Sequence, residues 1–278
     1  MDSSSGRRLQ TTETSLAIID AVNELGEARM SELADRLDLS TSTIHVHLKT
    51  LLDQEYLVKR GEQYRLGMKL FHLGEGARTR NEWYEVARRK THELADSCGE
   101  EVTFAVEEYG RAITLFNVVA NVPSKGFQVG RYYYLHNSAV GKAILAALPE
   151  TRVNEILDRW GLPAETEYTI TDRETLMEDI ERTNERGYSV NDQEAVEGLR
   201  SVGVPVTAPH GGVLGALDIS GPLYRCRRTK NSRRCCKTSS RSWSQNSESN
   251  RHSVALAVQE RSAALGVTNA EQGPGRWL

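Results

Sequence analysis

Residues 1–54 show apolar positions at helical spacing in three successive segments. The first segment predicts a helix that residues 12–15 cap and that Gly26 ends. Its apolar positions are Leu16, Ile18, Ile19, Ala21, Val22 and Leu25. A second helix is predicted over residues 30–37, followed by a polar turn at residues 38–40. The third is predicted over residues 41–54, with Ile44, Leu48 and Leu51 facing inward.

Two short helices joined by a tight turn, the second with a small polar N-terminus, are typical of a helix-turn-helix. Residues 55–66 read as a strand, a glycine turn and a second strand, which predicts a wing beside the third helix. The side chains of the third helix that are expected to face DNA are Thr41, Ser42, Thr43, His45, Val46 and Lys49. Cations of the wing and of the N-terminal arm are expected to meet phosphates. These cations are Lys59, Arg60 and Arg65 in the wing, and Arg7 and Arg8 in the arm.

The charge of this head limits how it would bind DNA. Residues 1–69 hold nine Lys and Arg against eleven Asp and Glu, a net charge of −2. The head therefore has no broadly basic surface, and affinity for DNA would rest on a few phosphate contacts. The rival interpretation is a helical head that binds a protein partner instead of DNA.

The rest of the chain mixes helical and strand patterns without a regular βαβ period. Residues 70–81 are expected to form a linker helix. Helices are predicted at residues 83–97, 138–148, 150–160 and 173–186, and strands at residues 101–106, 112–119, 125–129, 188–191, 199–205 and 213–220. This mixture predicts an α+β domain with a mostly antiparallel sheet over residues 82–222, after a flexible arm at residues 1–10 and a winged helix-turn-helix at residues 11–69.

Composition gives a misleading first picture of the charge. The chain has 278 residues with 35 Lys and Arg against 38 Asp and Glu, a formal charge of −3. Residues 223–252 alone hold nine cations and one acid, and residues 253–278 balance, so the first 222 residues carry −3 − 8 − 0 = −11. Such an acidic surface suits a protein of concentrated salt. No apolar run is long enough for a membrane span, no secretion signal is evident and cysteines are few, which predicts a cytoplasmic protein.

The chain resembles an IclR-family transcriptional regulator, of the acidic kind found in salt-adapted archaea. The resemblance extends over residues ~10–222. It rests on ordered motifs at residues 39–45 (LSTSTIH), 64–67 (YRLG), 135–146 (LHNSAVGKAILA), 186–194 (RGYSVNDQE), 198–206 (GLRSVGVPV) and 215–222 (GALDISGP). It implies a GAF-like effector-binding domain and a homodimer or homotetramer on palindromic DNA. Effector binding would then change the placement of the DNA-reading heads and so the affinity for the operator.

The resemblance also implies a ligand pocket at Ala139, Val140, Asn191, Ser201, Asp218 and Ser220. Ala139 and Val140 begin a predicted helix, whose free N–H groups would suit a carboxylate. Asp218 departs from the family pattern, in which a small hydroxyl is common at this position. A carboxylate there would compete with an anion, so we expect a neutral, phenolic or hydroxylated effector rather than a small dicarboxylate. The alternative is that Asp218 points outward from an edge strand.

No motif indicates an enzyme, a metal site or a cofactor. There is no phosphate-binding loop, no Gly-x-Ser-x-Gly and no His/Glu pair at metal-ligand spacing. Gly211, Gly212 and Gly215 are more typical of a hairpin turn than of a phosphate loop. Tyr132, Tyr133 and Tyr134 would either line the pocket or pack in a strand.

Residues 223–278 do not fit the rest of the chain, and we expect them to be disordered. A zinc site at Cys226, Cys235, Cys236 and His252 would have poor spacing, and a basic arm on DNA is a second possibility. A third interpretation is a change of reading frame. Permitted codons for residues 228–250, read two nucleotides later, encode NEELPEMLQDVVEVVESELGIE, an acidic amphipathic helix. That segment resembles the closing helix of the family.

Overall fold

The computed structural model describes residues 8–98, 100–119, 128–207 and 212–222. The chain divides into two units between Arg80 and Asn81, which are described separately below. The expectations for Arg7, for Gly211, for residues 125–127 and for residues 223–278, including the cysteine cluster and the alternative frame, lie outside the described residues. In the described part of the chain, no helix is long and apolar enough to cross a membrane.

The N-terminal unit contains three helices and a small antiparallel sheet. The helices are α1 (Gln10–Leu25), α2 (Met30–Leu37) and α3 (Thr41–Asp53), and the strands are β1 (Ala28–Arg29), β2 (Leu57–Arg60) and β3 (Gln63–Leu66). The strand order is β1-β3-β2, so β3 pairs on both sides. Every one of these helices and strands contributes apolar residues to the core. Its fully buried members include Ile18, Leu33, Ile44, Leu48 and Leu57. The helix-turn-helix and its wing are therefore present.

The start of α1 differs from the prediction. Residues 12–15 lie inside the helix, which begins at Gln10, and Leu9 precedes it without a side-chain cap. The hydroxyls of Thr14 and Ser15 donate to the carbonyl oxygens of Gln10 and Thr11 at 2.9 and 3.1 Å. A Thr or Ser hydroxyl can bond a carbonyl one turn earlier as readily as it caps, and sequence alone does not separate the two.

The α2–α3 turn shows the cap that α1 lacks. Asp38 ends α2 in the left-handed conformation, with φ 51°, and Ser40 is the N-cap of α3. The Ser40 hydroxyl accepts a hydrogen bond from the Thr43 N–H at 3.1 Å. It satisfies one of the N–H groups that a helix leaves without a partner at its start.

Substituting Ser40→Ala is expected to lower the unfolding free energy of the N-terminal unit by about 1 kcal/mol. The reason is the loss of the acceptor for the Thr43 N–H. Chemical denaturation followed by circular dichroism measures the change. Thr12→Ala is the matched control, because Thr12 is exposed inside α1 and caps nothing, so alanine should leave stability unchanged or slightly higher. An equal loss in both variants would contradict the assignment of the cap.

Helix α4 (Met68–Thr79) follows the wing and has no buried residue. It starts two residues earlier than the predicted linker helix at residues 70–81. Its apolar side chains Met68, Phe71 and Leu73 are 74%, 62% and 48% exposed. The helix therefore carries apolar side chains that the other described residues of the N-terminal unit leave exposed.

The second unit is built on one six-stranded sheet in which every neighbouring pair is antiparallel. Its helices are α5 (Glu82–Cys98), α6 (Ala139–Ala147), α7 (Glu150–Trp160) and α8 (Arg173–Arg186). Its strands are β4 (Glu101–Glu108), β5 (Arg111–Val118), β6 (Tyr132–Tyr134), β7 (Ser189–Asp192), β8 (Leu199–Thr207) and β9 (Val213–Pro222), in the order β6-β5-β4-β9-β8-β7. The α+β fold class with an antiparallel sheet is confirmed.

Helices cover both faces of this sheet. One face packs with α5 through a cluster that includes Phe104, Phe116 and Leu217. The other face packs with α6, α7 and α8 through a cluster that includes Val140, Ile144 and Leu176. Because both faces are covered, polar residues on the strands are buried unless they lie at an edge or an end of the sheet.

The predicted strand at residues 125–129 is described only at its end. Gln128 and Val129 do not lie in a strand. A strand that was not predicted, β6, follows them and pairs with β5 through Tyr132, Tyr133 and Tyr134. Three consecutive aromatic residues suit a pleated surface better than the mixed segment before them.

Candidate functional site

The N-terminus of α3 presents small polar side chains on a fixed frame. Thr41, Ser42, His45 and Lys49 are exposed, and Val46 is 64% exposed. Thr43 is only partly exposed. Its hydroxyl lies 2.8 Å from the Ser40 hydroxyl and so takes part in the cap. Five of the six predicted contact residues therefore face outward freely, while Thr43 helps to hold the turn.

A neighbouring histidine was not predicted as part of this surface. The Nδ1 atom of His47 lies 2.8 Å from the hydroxyl of Ser15 on α1, and both residues are partly buried. This hydrogen bond ties α3 to α1 close to its exposed face. The sequence signal is weak, because the partners are far apart along the chain.

The wing presents two exposed cations and one that is already paired. Lys59 and Arg60 are exposed on β2, and the Lys59 ammonium lies 5.3 Å from the centre of the Tyr64 ring. Arg65 on β3 forms an ion pair with Glu27. A phosphate contact by Arg65 would have to compete with that carboxylate. In the arm, Arg8 is exposed and its guanidinium lies 3.7 Å from the Glu13 carboxylate.

In the second unit, α6 begins directly on the sheet. Its N-cap is Ser138, whose hydroxyl accepts from the Gly141 N–H at 3.1 Å, so the N–H groups of Ala139 and Val140 remain at the positive end of the helix. The Ser189 hydroxyl donates to the Ala139 carbonyl at 2.6 Å. A Cβ on Gly203 would lie 2.6 Å from the same oxygen. Close contact with this glycine thus fixes where the helix starts.

The predicted polar positions share the sheet face beneath α6. Asn191 pairs with Ser201 across β7 and β8, and Ser201 pairs with Ser220 across β8 and β9. Asp218 lies two residues before Ser220, so the two side chains point to the same face. All four residues, and also Ala139 and Val140, are buried. The structure therefore brings the six predicted effector residues into one region.

Among these polar residues, Asn191 makes hydrogen bonds that stabilise the fold. Its Oδ1 accepts from the Glu194 N–H at 2.8 Å, and its Nδ2 donates to the Ser201 hydroxyl at 3.3 Å. Both ends of the amide are therefore engaged by the protein. The amide holds the turn after β7 against β8.

Asp218 lies at the centre of the sheet. The alternative in which it points outward from an edge strand is wrong, because β9 lies between β4 and β8 and Asp218 is 1% exposed. Burial raises the pKa of its carboxyl to about 8, and the Glu101 charge acts in the same direction, while Thr103 and Ser201 oppose the shift. Near neutral pH this carboxyl therefore exists largely in its protonated form.

Several residues of this face were missed by sequence reasoning. The hydroxyls of Thr103, Thr114 and Ser220 are buried and have no hydrogen-bond partner among the described residues. Glu101 is also buried and pairs with Ser220 across β4 and β9. The signal was the alternation of Glu101 and Thr103 with apolar residues in β4, which places both on the α6 side.

Lys142 forms a second group that sequence reasoning missed. It lies in the apolar segment of α6, is 1% exposed, and its ammonium is 2.8 Å from the Asp179 carboxylate on α8 and 2.7 Å from the Glu194 carboxylate. Burial raises the pKa of Glu194, and the Lys142 charge opposes that shift. This buried ion group, Lys142 with Asp179 and Glu194, joins α6, α8 and the turn after β7.

The nearby aromatic and histidine residues have packing partners. The Tyr133 hydroxyl accepts from the Gln128 N–H at 2.9 Å, and the Arg111 guanidinium lies against the rings of Tyr132 and Tyr134. His136 is buried with Nε2 3.1 Å from the Pro163 carbonyl, and burial lowers its pKa. Among the described residues, no three His, Cys, Asp or Glu side chains are placed to hold a metal ion.

Comparison with known proteins agrees with this arrangement. The model of the IclR helix-turn-helix domain matches residues 12–61, and the model of the C-terminal region of the bacterial transcriptional regulator IclR matches residues 77–245. The HTH-type transcriptional regulator ArcR of Halobacterium salinarum is 29% identical over 229 residues, which cover 79% of this chain and 85% of that protein.

Two solved structures share the fold. The crystal structure of the Thermotoga maritima IclR has a TM-score of 0.69 at 23% identity and covers 93% of this chain and 100% of that one. An IclR homologue from Microbacterium hydrocarbonoxydans, complexed with 4-hydroxybenzoate, has a TM-score of 0.63 at 24% identity, with 75% and 89% covered. The winged head, the antiparallel effector-type domain and the two family matches lead to one conclusion: the chain belongs to the IclR family of helix-turn-helix transcriptional regulators.

Proposed function

We propose that this protein binds double-stranded operator DNA through α3 and the wing, and that a small-molecule effector bound beneath α6 changes its affinity for the operator. The observation that carries the proposal is the capped N-terminus of α3, with exposed polar side chains, next to exposed Lys59 and Arg60. Helix and wing together offer contacts to base edges and to phosphates. Lys49, Lys59, Arg60 and Arg8 supply the phosphate contacts, and Arg65 contributes after release from Glu27.

The effector site of this proposal consists of Ala139, Val140, Ser201, Asp218 and Ser220, with Asn191 holding its turn in place. Two features support it: a helix N-terminus over a polar sheet face, and buried hydroxyls without partners in the described region. The Microbacterium homologue, complexed with 4-hydroxybenzoate, shows that a protein of this fold takes up a small molecule. The site offers binding groups, so we propose a sensor that carries out no reaction and works without a cofactor.

We also propose that the protein acts in the cytoplasm as a homodimer or homotetramer. The exposed apolar side chains of α4, Met68, Phe71 and Leu73, support self-association because apolar clusters of this kind mark contact surfaces. An oligomer places two heads on one operator, so a shift in their relative placement changes affinity for the two half-sites together.

Lys49→Ala and Arg60→Ala test DNA binding. Each variant is expected to weaken binding to the gene's own upstream region, and to lower the slope of log affinity against log salt by about 1, because each removes one phosphate contact. Gel shift or fluorescence anisotropy at several salt concentrations measures both quantities. Arg173→Ala is the control, since Arg173 is an exposed cation of the second unit. Unchanged DNA binding in both head variants, or loss of a protein partner instead, would favour the head as a protein-binding module.

A further inference from the structure

Two buried acids lie diagonally across β4 and β9 on the sheet face beneath α6. Glu101 pairs with Ser220, and the next residue of β4 on the same face, Thr103, pairs with Asp218. Glu101 is 6% exposed and Asp218 is 1% exposed. Neither oxygen of the Asp218 carboxylate has a well-formed hydrogen bond to any described residue, and both oxygens are buried. The face therefore offers acceptors that the nearest donors, Thr103 and Ser201, satisfy only weakly.

The cations that α6 and β8 bring toward these acids are bound by other carboxylates. The charged residue of α6 is Lys142, whose ammonium is held between Asp179 and Glu194. On β8, Arg200 is bound through two hydrogen bonds of 2.6 Å to Asp192. From β5, the neutral amide of Asn117 donates to Glu101 at 3.0 Å. A buried carboxylate without a cation is costly, and the raised pKa of Asp218 is the local sign of that cost.

The positive end of α6 lies one strand away from Asp218 and two strands away from Glu101. Asp218 pairs with Gly203, and the start of α6 rests on Gly203 through the Ala139 carbonyl. Neighbouring strands are about 4.8 Å apart. The N–H groups of Ala139 and Val140, which suit a carboxylate, thus lie close to a pair of acids that suits a cation. These are the two halves of a site for a small zwitterion.

We propose that the effector is an α-amino acid, with its ammonium group against Asp218 and Glu101 and its carboxylate on the N–H groups of Ala139 and Val140. This inference rests on the proposed function, because it assumes that the effector binds at this face. It replaces the expected neutral hydroxylated effector: one hydroxyl donates a single hydrogen bond, whereas an ammonium group donates three and brings the positive charge that stabilises an ionised Asp218. The hydroxyls of Thr103 and Ser220 accept the remaining ammonium protons.

Binding of an ammonium group has a distinct dependence on pH. In the free protein the Asp218 carboxyl has a pKa of about 8, and a bound cation lowers that pKa. Binding therefore releases a proton below this pH, and affinity rises with pH until about pH 8, by up to roughly tenfold per pH unit. A 2-oxo acid has no ammonium group, so ionisation of Asp218 would repel it and its affinity would fall over the same range.

The test uses the full chain and matched ligands. The proteinogenic amino acids and their 2-hydroxy and 2-oxo counterparts, which differ only in the α-substituent, are screened by thermal shift. Calorimetry between about pH 6 and pH 8, in buffers of different ionisation enthalpy, then gives affinity and proton release. We expect one amino acid to bind at least tenfold more tightly than its counterparts and to release a proton.

Asp218→Asn is expected to abolish proton release and to lower the affinity for the amino acid at least tenfold near pH 8. Glu101→Gln is expected to lower this affinity less. Asp158→Asn is the control, because Asp158 is exposed on α7.

Three results would overturn the inference: equal or tighter binding of a 2-oxo or 2-hydroxy acid, no binding of any amino acid, or an unchanged affinity in Asp218→Asn. If such an acid binds and alters the operator gel shift, the inference fails and the proposed function stands. If no ligand of any class alters the gel shift, the proposed function fails as well.

Discussion

Lys142→Met is expected to lower the unfolding free energy of the second unit by roughly 3–5 kcal/mol near neutral pH. The substitution keeps the volume of the side chain but leaves Asp179 and Glu194 buried without the ammonium that lies 2.8 and 2.7 Å from them. Two arginines lie farther from Asp179, at 3.6 and 3.7 Å, and compensate only in part. Urea denaturation at constant salt, followed by circular dichroism, measures the loss.

The loss should depend on pH with a definite sign. Burial already raises the pKa of Glu194, and without Lys142 that pKa rises further. A carboxyl whose pKa is higher in the folded state binds more protons there, so stability falls as the pH rises above the unfolded value of about 4.3. The deficit of Lys142→Met should therefore be smallest in mild acid and grow toward neutral pH.

Arg88→Met is the matched control for this experiment. Arg88 pairs with Glu85 at 2.6 Å along α5, and both side chains are about half exposed. A surface pair of this kind contributes about 0–1 kcal/mol. Similar losses in the two variants, or a Lys142→Met deficit that does not change with pH, would show that the buried ion group contributes no more than a surface pair.

The second large effect is expected from Gly203→Ala. A Cβ there would lie 2.6 Å from the Ala139 carbonyl oxygen and 2.7 Å from the Ser189 hydroxyl. The start of α6 must then move away from the sheet, at a cost of about 1–3 kcal/mol in unfolding free energy. Ala139 and Val140 would move with the start of α6, so their N–H groups would no longer be placed for the effector. We therefore expect the affinity for the effector to fall by more than tenfold.

Gly76→Ala separates the effect of contact from the effect of composition. Gly76 lies in α4, and a Cβ there would meet nothing within 4 Å. Alanine in a helix interior is favoured by up to about 1 kcal/mol over glycine, so this variant should be more stable. Thermal unfolding and calorimetry with an effector measure both quantities. A Gly203→Ala protein with unchanged stability and affinity would show that α6 does not depend on this close contact.

The strong periodic patterns of the sequence predicted the helices well. The bounds of α2, α7 and α8 equal the predicted ones, because each combines an apolar stripe with a clear start or stop signal such as Asp172 or Gly187. The two residues of β1 are too few for any pattern, and they pair only because β3 lies next to them. The cap of α1 was misplaced because its Thr and Ser residues bond backward within the helix.

The proposed effector site was predictable only in part. The ordered motifs indicated Ala139, Asn191, Ser201 and Asp218, but the chain's local pattern contains no sign of how strands are ordered in the sheet. The position of Asp218 on a central strand, and the approach of Glu101 from β4, depend on that order. Lys142 was overlooked for the same reason, since its partners Asp179 and Glu194 come from distant parts of the chain.

The pairing of β3 with both β1 and β2 has a mechanical consequence for the head. Arg29 belongs to β1 and directly precedes α2, so the wing and the first turn of α2 are joined by backbone hydrogen bonds and displace together. A displacement of the wing, for example by a phosphate bound to Arg60, is therefore expected to move α2 and, through the short turn, α3. A change in operator geometry at the wing would then alter the position of α3 in its groove.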